Sequence, residues 1–283
     1  MARLMREVAL ELPFGELAAL EWGEPEAPAL LALHGWLDNA ASFFAIAPLL
    51  AKDFRVIALD LPGHGRSAHM PQGVARYHAT DYVDHVLDAA DALQLGHFDL
   101  LGHSLGAGVA SLVAAAAPGR VHKLALIEGL GPLADDGSQT LARWREAEAQ
   151  RSVTRRMPRV FASLDEALAA RVAVGDLQVH EAREVVERGL RRVEGGHVWS
   201  SDARLRLPTP LRIEEMQLRR LLAGIEASTL LLLADPETPY LPREKMDART
   251  ACVRDIRVER IAGRHHLHLQ HPNEIAQRLL AFL

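Results

Sequence analysis

Residues 102–106 read Gly-His-Ser-Leu-Gly and lie between a short apolar run and a helix-like stretch. A tight turn between a strand and a helix exposes a serine hydroxyl, and glycines two positions on either side avoid collisions with neighbouring backbone. A hydroxyl is a weak nucleophile near neutral pH, so it needs a nearby base and a group that orients the base. The pattern predicts Ser104 as a catalytic nucleophile; an inert serine in a tight turn is the alternative.

Three histidines follow the last strand-like run of the chain, at His265, His266 and His268. Nucleophilic serines on such turns are followed in the chain by an acid and then by the histidine base, so this cluster is where the base is expected. Spacing alone does not choose among the three. A metal site would need further Cys or carboxylate ligands that the sequence does not place here, so neither a metal nor a cofactor is predicted.

The acid that orients the base should stand just beyond the run 229–233, where the loop offers Asp235 and Glu237. Glu128, which follows the run 124–127, is a third candidate. We place Glu237 first, with Asp235 and Glu128 as the alternatives.

The negative oxygen of a tetrahedral intermediate requires fixed hydrogen-bond donors. One predicted donor is the backbone N–H of Leu105, directly after the serine. The second is the backbone N–H of Trp36, since Gly35 lets the chain approach a substrate closely after the run 29–33.

The sequence alternates short apolar runs with helical patterns, which is typical of a mostly parallel sheet covered by helices. Runs 8–12 and 17–22 flank a Pro and Gly turn and predict an antiparallel pair. Six further runs have the apolar character of buried strands: 29–33, 56–59, 98–101, 124–127, 229–233 and 257–261. The predicted fold class is therefore α/β, with an eight-stranded sheet.

Residues 134–224 differ in character, because strand-like runs disappear and apolar residues recur at helical spacing. Examples are Leu164, Leu168 and Val172, and Val186, Leu190 and Val193. We predict a helical cap at 134–224, inserted into a core formed by 1–133 and 225–283. The insert contains 16 arginines and 14 Asp and Glu residues. This near balance of charge favours a solvated surface over a polyanion site.

Composition and charge limit the classes of partner that this chain is expected to bind. A formal charge of −5 predicts no nucleic-acid partner, and no segment has the apolar length of a membrane span. Residues 1–12 contain four charged side chains and hold no uninterrupted signal-peptide core. Cys252 is the single cysteine, so an intramolecular disulfide is impossible and a reduced, cytoplasmic location is expected. A small-molecule substrate fits best, and the oligomeric state is left open.

Several segments together resemble one known family, the α/β-hydrolases, and within it the serine hydrolase-like proteins. The matching motifs are His-Gly-Trp-Leu-Asp-Asn at 34–39, Asp-Leu-Pro-Gly-His-Gly-Arg-Ser at 60–67, the serine turn at 102–106, Ile-Glu-Gly-Leu-Gly-Pro at 127–132 and His-His-Leu-His-Leu at 265–269. The insert contributes Glu-Gly-Gly at 194–196 and Asp-Ala-Arg-Leu-Arg-Leu-Pro at 202–208. The resemblance implies the α/β-hydrolase fold with an inserted cap, and it implies that Asp60 and His64 hold their loop by hydrogen bonds.

The resemblance also selects among the histidines. The family's catalytic histidine commonly stands seven positions before a proline, which points to His265 through Pro272, with His266 as the alternative. Arg264 stands where the family commonly has glycine. The family's acid is commonly an Asp three residues after a strand-ending glycine, where this chain has Glu237.

These residues predict hydrolysis of a small carboxylic ester through an acyl-enzyme. The same residues would serve for an amide, a thioester or a carbon–carbon bond, and a catalytically silent fold used for binding is a separate alternative. A serine at 104 disfavours epoxide hydrolase and haloalkane dehalogenase chemistry, which needs a carboxylate nucleophile.

Overall fold

A computed structural model describes residues 5–150 and 157–283, which form twelve strands and ten α-helices. The strands are β1 (Arg6–Leu12), β2 (Gly15–Trp22), β3 (Ala29–Leu33), β4 (Arg55–Leu59), β5 (Phe98–His103), β6 (Val121–Ile127), β7 (Ala134–Asp135), β8 (Leu190–Val193), β9 (Gly196–Trp199), β10 (Ile213–Glu214), β11 (Ser228–Asp235) and β12 (Ile256–Ala262). The helices are α1 (Ala47–Leu50), α2 (Asp81–Ala92), α3 (Leu105–Ala116), α4 (Thr140–Ala149), α5 (Leu164–Val174), α6 (Val179–Arg188), α7 (Glu215–Leu222), α8 (Arg243–Thr250), α9 (Leu267–Gln270) and α10 (Pro272–Phe282). None of the described helices combines the length and apolar character that crossing a bilayer requires.

Eight of the strands form one sheet, in the order β1-β2-β4-β3-β5-β6-β11-β12. β2 runs antiparallel to β1 and β4, and all other neighbours are parallel. The prediction of a mostly parallel eight-stranded sheet with a leading antiparallel pair is confirmed. The carboxyl ends of the parallel strands share one edge, which is where sites in such sheets form.

Both faces of the sheet are covered, as the side chains of β3 show. Leu31 and Leu33 pack with side chains of α2 and α3, whereas Leu30 and Ala32 pack with side chains of α1 and α10. All four are fully buried. Burying one leucine contributes about 1.5–3 kcal/mol, so a strand buried on both faces needs a continuous apolar run.

The insert is less helical than the sequence suggests. The stripe at Leu164, Leu168 and Val172 lies in α5, as expected, but α6 ends at Arg188 and residues 190–199 form the hairpin of β8 and β9. The hairpin turns at Gly195, whose φ of 81° favours glycine. Apolar residues at 186, 190 and 193 match helical spacing, yet that spacing does not distinguish one helix from a helix followed by a short hairpin.

The two ends of the insert pack differently. Phe161, Leu168 and Val186 form an apolar cluster of their own, joined by Leu269 from the chain after β12. By contrast, α7 contributes Leu218 and Leu222 to the core beside the sheet. The predicted boundary at residue 224 therefore takes in a helix that packs on the sheet.

Candidate active site

Ser104 occupies the turn between β5 and α3, with φ of 52° and ψ of −112°. A β-carbon added to Gly102 would lie 2.5 Å from the carbonyl oxygen of Gly106, and one added to Gly106 would lie 2.0 Å from that of Leu33. Both distances are far below van der Waals contact, so backbone packing requires glycine at both positions, as the sequence predicted.

Replacing Gly106 with alanine is expected to lower the free energy of unfolding by at least about 3 kcal/mol, because the new methyl group would overlap fixed backbone. Urea denaturation followed by circular dichroism measures the change. Gly119→Ala is the matched control: no atom of the described residues lies within 4 Å of its added carbon, and stability should change by less than about 0.5 kcal/mol. Equal stability of the two variants would contradict the described turn.

His265 lies on the loop between β12 and α9, and its ring reaches a carboxylate. Nδ1 is 3.1 Å from Oε2 of Glu128, and both side chains are buried. The His265 carbonyl accepts a hydrogen bond from Nε2 of His103 at 3.0 Å. Burial, together with the neighbouring histidines, holds the pKa of His103 well below its usual range, so this donor is a neutral ring.

Ser104 and His265 are linked through His103. Within the described residues the Ser104 hydroxyl makes no hydrogen bond to the His265 ring, a contact that often tightens only when substrate binds. The His103 ring instead holds the His265 carbonyl, and its backbone leads directly into the serine turn. The backbone of His265 is thus tied to the segment that carries Ser104.

Glu128 is the carboxylate that the structure brings to the histidine ring. It follows β6, with Oε1 accepting the backbone N–H of Ala234 at 2.6 Å and Oε2 accepting the hydroxyl of Thr238 at 3.2 Å. These donors satisfy a buried charge that would otherwise be costly. Glu128 is therefore a buried carboxylate that hydrogen bonds hold in one orientation.

The structure places Glu237, the first-ranked acid of the sequence, away from the histidine. Glu237 is exposed, and its carboxylate accepts the backbone N–H of Arg243 at the start of α8, at 2.8 Å. Asp235 is also exposed and lies 4.0 Å from the Arg243 side chain. β6 is the direct neighbour of β5, whereas β11 is one strand further away, so Glu128 begins closer to the serine turn. The sequence offers Glu128 as a candidate but does not reveal this strand order.

The other two histidines of the cluster make different contacts. Nε2 of His266 lies 3.1 Å from Oδ2 of Asp38, and Nε2 of His268 lies 2.9 Å from the Ser42 hydroxyl. Burial lowers the pKa of His268 to about 3. Burial alone would raise the pKa of Asp38, but His266 and Arg171 hold it well below its usual range. These groups form a buried network behind the loop of His265.

One group in the described part of the chain has the geometry to hold a metal ion. Asp38, His103 and His266 each offer one ligand atom, all within 4.8 Å of one another. Two imidazoles and a carboxylate suit zinc. However, Asp38 already accepts hydrogen bonds from His266 and, at 2.9 Å, from Arg171. A divalent ion would place two more positive charges beside this partly buried arginine, which disfavours a metal at this position.

The two predicted oxyanion donors lie on neighbouring segments. Leu105 is the first residue of α3, where backbone N–H groups have no partner inside the helix. Trp36 follows β3, which pairs with β5, and the N–H of Gly106 donates to the carbonyl of His34 at 3.0 Å. The Trp36 indole donates to the carbonyl of Leu205, tying this loop to the insert. The donor roles of Trp36 and Leu105 stay predictions.

Unusual backbone is concentrated around these residues. Leu37, Ser104 and Glu128 have φ of 60°, 52° and 54°, and Gln94 is the fourth described non-glycine residue with positive φ. Such conformations are costly for side chains with a β-carbon and cluster at functional sites. All three segments that meet here are held in strained conformations.

Asp60 holds the adjacent loop by hydrogen bonds, as its motif at 60–67 predicts. Its oxygens accept the backbone N–H groups of Ala40 and Arg66 at 2.7 and 2.8 Å and pair with Arg188 of α6 at 2.8 Å. His64 contacts the carbonyl of Pro62 at 3.2 Å and is fully buried. Their contacts are structural.

Comparison with known proteins identifies the family to which this chain belongs. A family model described as the alpha/beta hydrolase fold matches residues 28–176. A serine hydrolase-like protein of Danio rerio is 31% identical over 293 residues, covering 100% of this chain and 90% of that protein. The similarity therefore includes the sheet, the insert and the candidate site.

Two solved structures share the fold over nearly the whole chain. A hypothetical protein of Pseudomonas aeruginosa PAO1 is 38% identical with a TM-score of 0.88, over 98% of this chain and 97% of that chain. A thioesterase domain from the curacin biosynthetic pathway is 26% identical with a TM-score of 0.84, over 98% of this chain and 99% of that domain.

Proposed function

Because this chain belongs to the serine hydrolase-like branch of the α/β-hydrolase fold family, we propose that it hydrolyses a small carboxylic ester through an acyl-enzyme. The proposal depends mainly on the hydrogen bond between the His265 ring and buried Glu128. This pair lies close in the fold to Ser104, which occupies a strained turn. In this mechanism Ser104 attacks the ester carbonyl while His265 takes its proton. The protonated histidine then gives the proton to the leaving alcohol, and water hydrolyses the acyl-enzyme.

In this mechanism Glu128 sets the tautomer and the orientation of the His265 ring. By accepting Nδ1–H, it holds the imidazole in the tautomer whose Nε2 has a free lone pair for the serine proton. The N–H of Ala234 and the Thr238 hydroxyl keep the carboxylate in place. The backbone N–H groups of Trp36 and Leu105 would meet the tetrahedral oxygen, a contribution of about 10²–10³-fold for each donor.

Fluorophosphonate labelling combined with a p-nitrophenyl ester series of rising acyl length tests the proposal. Labelling is expected on the purified protein and should be lost in Ser104→Ala, and esters should give a burst of p-nitrophenol followed by steady turnover. Circular dichroism of the variant controls for folding. A folded protein that neither labels nor hydrolyses would favour a silent fold used for binding.

A thioester is the second candidate substrate, supported by the similarity to the thioesterase domain. Matched acyl-ester, acyl-thioester and anilide series separate the candidates by kcat/KM. The proposal expects the ester series to be preferred, and a clear preference for thioesters would replace it.

A further inference from the structure

The loop that carries His265 is attached to the insert by charged groups that the proposed mechanism does not use. The backbone N–H of His265 donates to Oδ2 of Asp176 at 3.0 Å. Arg264 reaches the two carboxylate oxygens of Glu181 at 3.2 and 3.3 Å and Asp176 at 3.6 Å. Asp176 lies between α5 and α6, and Glu181 is in the first turn of α6. Two carboxylates of the insert thus hold the base's own segment.

The sheet holds the same residue from its other side. His103 donates to the His265 carbonyl, and Glu128 contacts its ring. The Tyr240 ring meets the imidazole edge-on, with centroids 4.9 Å apart. Burial, with added repulsion from Glu128 and Asp176, raises the pKa of Tyr240 to about 12, so this neighbour stays a neutral phenol. Asp176 is the contact that fixes the remaining backbone group of His265, its N–H.

Arg264 also neutralises a buried charge. The Glu181 side chain is 4% exposed, and besides Arg264 it accepts the backbone N–H of Gln178 at 2.6 Å to cap α6. A buried carboxylate needs such a partner, and a glycine at position 264 would supply none. The arginine is therefore matched to the carboxylates of the insert.

We propose that Arg264 and Asp176 are positioning residues, through which the insert sets the orientation of His265. This inference rests on the proposed function. These contacts act on Arg264 and on the backbone N–H of His265, so loosening them moves the imidazole without removing any reacting group. A displacement of about 1 Å in such a group costs up to about 10²-fold in rate.

The first test is steady-state ester hydrolysis by Arg264→Gln, Arg264→Lys and Asp176→Asn. Arg264→Gln and Asp176→Asn are expected to lower kcat about 10- to 100-fold with little change in KM, and Arg264→Lys should recover part of the loss. Arg183→Gln is the matched control, since the ion pairs of this α6 arginine within the described residues are with Glu187 and Asp165, which both lie outside the loop. A change in KM alone, or an equal loss in Arg183→Gln, would overturn the proposal.

Salt gives a second readout. The side chains of Arg264 and Asp176 are 39% and 40% exposed, so raising salt from 0.05 to 1 M should screen their attraction and lower kcat. Arg264→Gln should lose most of this salt dependence. Equal salt dependence in the two proteins would contradict the inference.

Amide hydrogen exchange of peptides covering 263–271 needs no catalysis and separates the two proposals. Exchange at His265 is expected to become about tenfold faster in Asp176→Asn and Arg264→Gln, because a charge-assisted hydrogen bond is weakened. Unchanged exchange would overturn the positioning role even in an active enzyme. Faster exchange in a protein whose wild type hydrolyses nothing would overturn the proposed function instead.

Discussion

Replacing Glu128 with glutamine is expected to lower kcat for ester hydrolysis by about 10⁴-fold, while leaving the protein folded. Glutamine keeps the shape of the side chain but can present an amide N–H to Nδ1, which favours the tautomer that carries its proton on Nε2. That ring nitrogen then cannot accept the serine proton. Steady-state kinetics with a p-nitrophenyl ester measure the loss.

Glu237→Gln and Asp235→Asn are the matched controls, and both should retain near-normal kcat. Glu237 accepts a backbone N–H at the start of α8 and is exposed, so its charge is remote from the imidazole. Large loss in Glu237→Gln with normal activity in Glu128→Gln would show that the acid follows β11 during catalysis. Near-normal activity in all three variants would exclude a conventional Ser-His-acid triad.

The protein is expected to lose stability steeply as the pH falls from about 6.5 towards 4, because four histidines are buried in their neutral form. Burial lowers the pKa of His34 to about 4 and of His64 and His268 to about 3. Burial, with three neighbouring histidines, holds the pKa of His103 well below its usual range. All four rings are fully enclosed by the native packing.

The loss of stability at low pH follows from the difference in proton binding between the unfolded and native states. In the unfolded chain these histidines titrate near 6.5, so below that pH the unfolded state binds protons that the native state cannot. Each group removes up to about 1.4 kcal/mol per pH unit from the free energy of unfolding, or about 5.5 kcal/mol per unit for all four. Loss on that scale is comparable with the whole stability of a typical domain. The stability is complete above the unfolded pKa and disappears as the pH falls towards the folded values.

Urea denaturation at pH 7.5, 6.5, 5.5 and 4.5 measures this slope. His97→Gln, which changes an exposed histidine, should leave the slope unaltered, whereas His268→Gln should flatten it by about one quarter. A free energy of unfolding that stays constant between pH 7 and pH 5 would contradict the prediction.

Local sequence was sufficient for the sheet and the serine turn. Strands such as β3 are buried on both faces, and two-sided burial leaves a continuous apolar run that can be read directly. The glycines at 102 and 106 are required by backbone collisions within a few residues of the serine. Features determined by neighbours in the chain are therefore predictable from the chain.

The acid could not be chosen in the same way. Glu128 and Glu237 both follow strands, and only the order of those strands in the sheet decides which carboxylate reaches His265. That order depends on how distant segments pack. The hairpin at 190–199 was missed for a related reason, since a short apolar pattern fits more than one local structure.

The candidate site residues follow strands that differ in local stability. Ser104 and Glu128 follow β5 and β6 in the interior of the sheet, whereas His265 follows β12, an edge strand of the described sheet in which only Ile261 is buried. Edge strands open at lower cost than central ones. A fluctuation confined to β12 would withdraw His265 and leave Ser104 in its folded turn. Under the proposed function, that species would be inactive while still almost entirely native.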